Sequence, residues 1–136
     1  MRVAENLSIF DISGRAMAAQ LVRLNTTASN LANAGTVSGS ESTAFRSMKP
    51  VFRTIMGEAG KATVQVDRID NGTTAPVKRY QPDHPLADKD GNVWEAAVDS
   101  AAEMVEMLET SRQYQNNVQV LATAKGLISE TLRLGQ

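Results

Sequence analysis

The sequence predicts an α+β protein that is mainly α-helical, with a long helix at each end and a short, irregular β-rich segment between them. Apolar residues recur with heptad spacing near both ends, while the middle contains all four prolines and most of the glycines. The predicted units are residues 1–35, 36–98 and 99–136, and the two terminal helices are expected to pair as one coiled-coil domain. A chain of 136 residues has material for one modest core.

The N-terminal helix is predicted from its apolar repeat. Every seventh residue from 10 to 31 is apolar, and small or apolar residues fill the intermediate positions of a 3-4 alternation. We expect Asn6 or Ser8 to open a helix of about 25 residues and Gly35 to end it in the left-handed conformation. The predicted seam residues are Phe10, Gly14, Met17, Leu21, Leu24, Ala28 and Leu31.

The C-terminal helix carries a longer version of the same pattern and is expected to run from Asp99 to Leu134. No proline interrupts it. At 1.5 Å per residue it would be roughly 54 Å long, so it needs packing partners along its whole length. Its heptad core positions are Met104, Met107, Ser111, Tyr114, Val118, Leu121, Lys125, Ile128 and Leu132.

The middle segment is expected to consist of short strands joined by turns. Alternating polar and apolar residues predict strands at Thr63–Ile69 and Val77–Tyr80. Asp90-Gly91 is a hairpin-turn signal because glycine tolerates a positive φ. This turn is expected to join strands at Leu86-Ala87 and Val93-Trp94.

Both helices lack the charged face that a helix packed on one side normally exposes. Arg23 is the sole charged residue from Ala16 to Ala34, and there is none from Gln113 to Ala124, although 21% of the chain is charged. Small and amide side chains take the place of charges, as they do in interface cores. We therefore expect both helices to be packed on several sides, in part by other subunits. A monomeric helical hairpin on the middle segment is the alternative.

Composition argues against several classes of function. A formal net charge of -1 gives no electrostatic footprint for nucleic acid, and the absence of cysteine removes disulfides and thiolate nucleophiles. Arg2, Glu5 and Asp11 interrupt the N-terminal apolar run, so no Sec-type signal is expected. No stretch approaches the ~20 apolar residues of a membrane-spanning helix, so direct membrane insertion is not expected.

No catalytic residue, cofactor or metal site is predicted. His84 is the one histidine and lies in a proline-rich turn with no nucleophile beside it. The run Asp88–Asn92 lacks the glycine position of a calcium loop, and Gly57–Lys61, expected to be a flexible connection, lacks the spacing of a phosphate-binding loop. Acidic residues at the start of the C-terminal helix suit its dipole, with a metal site as the alternative interpretation. They are Asp99, Glu103, Glu106 and Glu109.

Two stretches of the chain resemble the signatures of bacterial flagellar rod and hook proteins. The N-terminal resemblance runs through Phe10–Gly14 and Arg23–Asn25, and its strongest part is Ser29-Asn30-Leu31-Ala32-Asn33. The C-terminal resemblance covers Glu103–Val105, Ser111-Arg112, Tyr114-Gln115, Asn117-Val118, Val120-Leu121, Thr123–Lys125 and Leu132–Gln136. Within the family, the short chain and the run His84–Asp88, followed by Gly91 and Val93, resemble the FlgC-type proximal rod proteins. Residues 36–80 align only loosely, and Trp94–Ala97 and Asn116 depart from the family pattern.

This resemblance implies a structural subunit, not an enzyme, in the periplasmic rod of the flagellar basal body. Such subunits assemble into a helical tubular drive shaft that transmits torque for motility. The implied partners are further copies of the chain, the rod proteins FlgB, FlgF and FlgG, FliE at the rod base, and the flagellar type III export apparatus. The paired helices would line the inner tube, with the middle segment facing outward. A helical adaptor for a single partner and a small hydrolase using His84 are the alternatives from other classes.

Overall fold

The computed structural model describes residues 2–57 and 61–135 and contains two long helices flanking five short strands. The predicted α+β class with a helix at each end is confirmed. In chain order the elements are α1 (Arg2–Asn33), β1 (Val37–Ser38), β2 (Met48–Met56), β3 (Ala62–Asn71), β4 (Val77–Tyr80), β5 (Asn92–Glu95) and α2 (Ser100–Leu134).

Helix α1 begins earlier than the sequence predicted. It starts at Arg2 and runs for 32 residues, so the expected opening at Asn6 or Ser8 is wrong. Residues 2–10 include no glycine or proline, so the helix can begin before Asn6 and Ser8 and continue through them. At the other end the prediction is confirmed, because α1 stops at Asn33 and Gly35 has a φ of 79°.

Helix α2 has the predicted limits. Asp99 is its N-cap, and the carboxylate accepts hydrogen bonds from the backbone N–H groups of Ala101 and Ala102 at 3.0 and 3.1 Å. The helix then continues for 35 residues to Leu134. Neither helix has, over its described residues, the length and hydropathy needed to cross a membrane.

The strands form two separate antiparallel sheets. Strands β2 and β3 make a two-stranded ribbon, and β1, β5 and β4 make a three-stranded sheet in that order. The predictions at Thr63–Ile69 and Val77–Tyr80 are confirmed by β3 and β4. Strand β2 was not predicted, and it contains Pro50. A two-stranded ribbon tolerates proline because both of its strands are edges.

The turn at Asp90-Gly91 forms, but it joins different strands from those predicted. Gly91 has a φ of 78°, and Asp88 Oδ1 accepts hydrogen bonds from the N–H groups of Asp90 and Asn92. Strand β5 pairs with β4, so Leu86-Ala87 is not the partner strand. Local turns occupy residues 81–87, where His84 N–H bonds to the Gln81 carbonyl and two prolines lack an N–H for a ladder. Residues 58–60 of the predicted Gly57–Lys61 connection, and Gln136, lie outside the described residues.

The interior is built from small side chains. Helix α1 packs against α2 on one side and against the β2–β3 ribbon on another. Among the described residues the buried apolar set is Ala19, Ala44, Pro76, Val93, Ala96 and Ala97, and the buried polar set is Ser13, Thr26, Thr27, Asn30, Glu103 and Thr110. Polar groups therefore occupy as much of the interior as apolar ones, and each needs a hydrogen-bond partner.

Candidate assembly interface

Helices α1 and α2 lie against each other in antiparallel orientation. The Gln20 side-chain amide donates to Gln113 Oε1 at 2.9 Å, and Arg23 lies 3.3 Å from the Glu106 carboxylate. From Gln20 to Arg23 along α1, the partner on α2 changes from Gln113 to the earlier residue Glu106, as it does between antiparallel helices. The contact therefore places the middle of α1 beside the first half of α2.

On α1 the structure separates the predicted seam residues into two sets. The residues spaced by seven, Phe10, Met17, Leu24 and Leu31, are half-buried. The intermediate residues Gly14, Leu21 and Ala28 are exposed instead, Leu21 to 45%. Their inward positions are taken by the preceding residues Ser13, Gln20 and Thr27.

On α2 the structure also separates the predicted seam residues into two sets. Met107, Tyr114, Leu121 and Ile128 are half-buried, as is Ser111. Met104, Val118 and Leu132 are 58%, 44% and 68% exposed, and Lys125 is exposed as well. Glu103, Asn117 and Ala124, one residue before Met104, Val118 and Lys125, are buried or half-buried, and Thr110 is fully buried.

The helix period accounts for both arrangements. An α-helix has 3.6 residues per turn, so a 3-4 alternation leaves the choice between two adjacent residues open at every second position. Gln20, which precedes Leu21, is half-buried and hydrogen-bonds to Gln113 of α2 across the two helices. The more apolar neighbours then face outward, and the role of the predicted seam residues in assembly stays a prediction.

The inward polar residues are incompletely satisfied. Thr110 is fully buried, yet its hydroxyl has no hydrogen-bond partner among the described residues. Gln20 Oε1 likewise has none in that part of the chain, although the amide nitrogen of the same side chain is bonded. Unsatisfied buried groups cost stability, so this layer weakens the contact between the helices.

Arg23 connects three elements. Besides its ion pair with Glu106 on α2, its guanidinium lies 5.0 Å from the centroid of the Phe52 ring on β2. The sequence marks Arg23 as the one charge in a neutral stretch of helix but gives no indication of either partner. The side chain ties α1 to α2 and to the β2–β3 ribbon.

The motif Ser29–Asn33 joins the end of α1 to the middle segment. Asn30 is 1% exposed; its amide donates to the Met48 carbonyl at 2.9 Å and its Oδ1 accepts from the Met48 N–H at 2.7 Å. The Asn33 amide donates to the Ser29 carbonyl at 2.8 Å, and its own carbonyl accepts from Thr36. Leu31 is half-buried and Ala32 is exposed. The two asparagines thus hold strand β2 and close the helix, a role that the sequence pattern did not reveal.

The second motif lies in the middle of α2. Ser111 and Tyr114 are half-buried, while Arg112 and Gln115 are exposed. The structure brings Ser111 and Tyr114 to the side of the helix that is partly covered by the rest of the chain. Arg112 and Gln115 remain available to other molecules.

Large apolar side chains are exposed on α2 beyond the predicted seam. Leu108 is 71% exposed and Val105 is 63% exposed, and Val120, Leu127 and Leu134 are also exposed. The accessible surface of the chain is 9430 Å². A folded monomer of 14.6 kDa typically exposes about 6900 Å², so this chain exposes roughly 2500 Å² more than a typical monomer of its mass.

The candidate catalytic and metal residues lie in structural positions. His84 Nδ1 accepts a hydrogen bond from the Leu86 N–H at 3.1 Å, within the turn that follows β4. Asp99 caps α2, and Glu106 is paired with Arg23. Over residues 2–57 and 61–135, no three His, Asp or Glu side chains are grouped as metal ligands.

Comparison with known proteins identifies relatives along nearly the whole chain. A family model described as flagella basal body rod protein matches residues 10–38, and one described as flagellar basal body rod FlgEFG protein C-terminal matches residues 89–134. The flagellar basal-body rod protein FlgC of Salmonella typhimurium is 43% identical over 132 residues, covering 96% of this chain and 98% of the relative. FlgC of Escherichia coli O6:H1 is 46% identical and FlgC of Yersinia enterocolitica 43% identical, with the same coverage.

Proposed function

The chain belongs to the FlgC-type family of flagellar basal-body rod proteins, as a structural subunit of the rod, and we propose that α1 and α2 are the domain through which it assembles. The uncovered surface carries this proposal, since roughly 2500 Å² beyond a typical monomer lies in the range of obligate interfaces. The charge-poor stretches of both helices suit close packing, because their single charge, Arg23, is already paired with Glu106 of the same chain.

In this proposal the outward apolar residues of α2 contact neighbouring subunits. Leu108 and Val105 are the most exposed apolar side chains in the first half of the helix, and Met104 lies beside them. The predicted seam residues Leu21 and Val118 belong to the same assembly surface. A contact of this kind that repeats without closing generates a helical tube, in which stiffness comes from many equal interfaces.

The finer assignments belong to the same proposal. The two helices together form one domain that lines the inner tube, and the middle segment, residues 36–98, faces outward. The partners are further copies of the chain, FlgB, FlgF and FlgG, with FliE at the rod base, after passage through the type III export apparatus. We also propose that the chain has no catalytic activity, because His84 is engaged within its own turn.

The experiment replaces Leu108 with aspartate in a strain that lacks its own copy of this protein. Because Leu108 is exposed, the variant should keep the unfolding midpoint of the free chain, while a charge in the subunit contact should abolish rod assembly and swimming. The matched control is Tyr80→Asp on β4, which is 72% exposed in the middle segment and should still swim. Normal basal bodies with Leu108→Asp would show that this face of α2 is not the contact.

A further inference from the structure

A cleft with two adjoining cavities opens where the start of α2 meets the sheets. One cavity, of about 240 Å³, lies between α1, α2 and β2; the other, of about 410 Å³, lies between the start of α2 and strands β4 and β5. Lys49, Ala102 and Glu103 line both. The two cavities therefore share a wall, and Glu103 is part of it.

Most charges around this cleft already have partners. Arg23 pairs with Glu106, and Arg79 lies 2.6 Å from the Glu95 carboxylate. The Asp99 carboxylate accepts the two N–H groups at the start of α2. None of these groups needs a further counter-ion.

Glu103 is the exception. The residue is only 9% exposed, and its carboxylate makes no ion pair or hydrogen bond to any residue in 2–57 or 61–135. A buried carboxylate without a partner is strongly unfavourable. Lys49 also lines both cavities, but it is exposed and forms no ion pair with Glu103 in the described structure. The cleft thus contains the unpaired carboxylate of a largely buried residue, and this carboxylate faces the open space of the two cavities.

The walls of the cleft define what could neutralise that charge. Met48 and Pro50 line the smaller cavity, and Ala75, Ala96 and Val98 line the larger one. Polar and charged side chains line much of the rest of the cleft. The apolar ones can pack on the methylene stem of a lysine or arginine side chain, while the Glu103 carboxylate pairs with its cationic head. A metal ion fits less well, because the neighbouring carboxylates of Asp99 and Glu106 are already engaged.

We propose that this cleft receives a basic side chain from a neighbouring rod subunit, whose cationic head pairs with Glu103. The inference rests on the proposed assembly function and adds to it a specific polar contact, distinct from the apolar face of α2. The pair would form only on assembly, when the incoming side chain would also exclude water from the Glu103 carboxylate. The contact at Glu103 would therefore favour the assembled state of the chain over its isolated state.

The test replaces Glu103 with glutamine in the full chain. The unfolding midpoint of the free chain should stay the same or rise, whereas incorporation into basal bodies should fall by about thirtyfold or more, since one partner of a buried charge pair is lost. Glu109→Gln, an exposed change six residues along the same helix, should leave both the unfolding midpoint and the incorporation unaltered. Normal rods from Glu103→Gln, alongside failed assembly of Leu108→Asp, would overturn this inference and leave the proposed function standing.

Two further measurements identify the group that pairs with Glu103. If Lys49 of the same chain is the real partner, Lys49→Met and Glu103→Gln will destabilise the free chain equally, and the proposal is wrong. A photo-crosslinking amino acid at Ala102, which lines both cavities, should link to a basic peptide of another subunit in assembled rods. Crosslinks confined to the same chain would overturn the proposal without requiring any change at Glu103.

Discussion

Replacing Asn30 with alanine should detach the β2–β3 ribbon from the end of α1. The Asn30 side chain is buried and bonds both the N–H and the carbonyl of Met48, at 2.7 and 2.9 Å. Alanine leaves both backbone groups without a partner, and each unsatisfied buried group costs about 1–3 kcal/mol. The free energy of unfolding should therefore fall by about 2–6 kcal/mol, a large part of the ~5–15 kcal/mol of a typical domain.

The assay is urea denaturation of the full chain, followed by circular dichroism. Asn25→Ala on an exposed position of the same helix is the matched control and should change the free energy of unfolding by less than about 0.5 kcal/mol. The loss in free energy of unfolding for Asn30→Asp should lie between those for Asn25→Ala and Asn30→Ala. Aspartate keeps an acceptor for the Met48 N–H but turns a second oxygen toward the Met48 carbonyl. A loss below about 1 kcal/mol for Asn30→Ala would refute the reasoning, since it would mean that Met48 finds other partners at little cost.

Three further changes test other parts of the fold. Thr110→Val removes a fully buried hydroxyl without a partner in the described chain while keeping its shape, so thermal unfolding should show a gain of about 1 kcal/mol; a loss would mean that the hydroxyl is bonded. Gly91→Ala forces a side chain into a φ of 78° and within 2.9 Å of the Tyr80 ring, so the midpoint in urea should drop by an amount worth about 1–3 kcal/mol; an unchanged midpoint would contradict the turn geometry. Leu24→Asp puts a charge in the half-buried seam and should reduce both helicity and rod formation; a normal rod would contradict the seam assignment.

The ends of the helices could be predicted where a local signal settles them. Asp99 before an uninterrupted run identifies the start of α2, and Gly35 identifies the end of α1, because capping depends on residues adjacent in sequence. The start of α1 was missed since Asn6 and Ser8 can cap a helix but do not prevent one from starting earlier. Strand β2 was missed because Pro50 is acceptable only on an edge, and edges are a property of the sheet rather than of the sequence.

The packing of the two helices could be predicted only in part. The heptad pattern identifies which side of each helix is apolar, but it assumes that the apolar side faces the partner helix of the same chain. Gln20 and Thr110 instead lie on the covered side, one position before Leu21 and Ser111. The hydrogen bond between Gln20 and Gln113 joins residues 93 positions apart, so the sequence pattern alone does not reveal it.

The weak interior and the uncovered exterior have the same consequence. In the described part of the chain, four of the six buried apolar residues are alanines, which bury little surface, and Gln20 and Thr110 between the helices carry unsatisfied polar atoms. The larger apolar side chains, Leu21, Met104, Leu108 and Val118, face outward instead. If those residues gain cover only from neighbouring subunits, most of the apolar burial that orders the two helices occurs on assembly, when the ordering entropy can be offset. A rod subunit built in this way remains weakly paired on its own and becomes rigid in the lattice, which suits a shaft whose stiffness comes from contacts between chains.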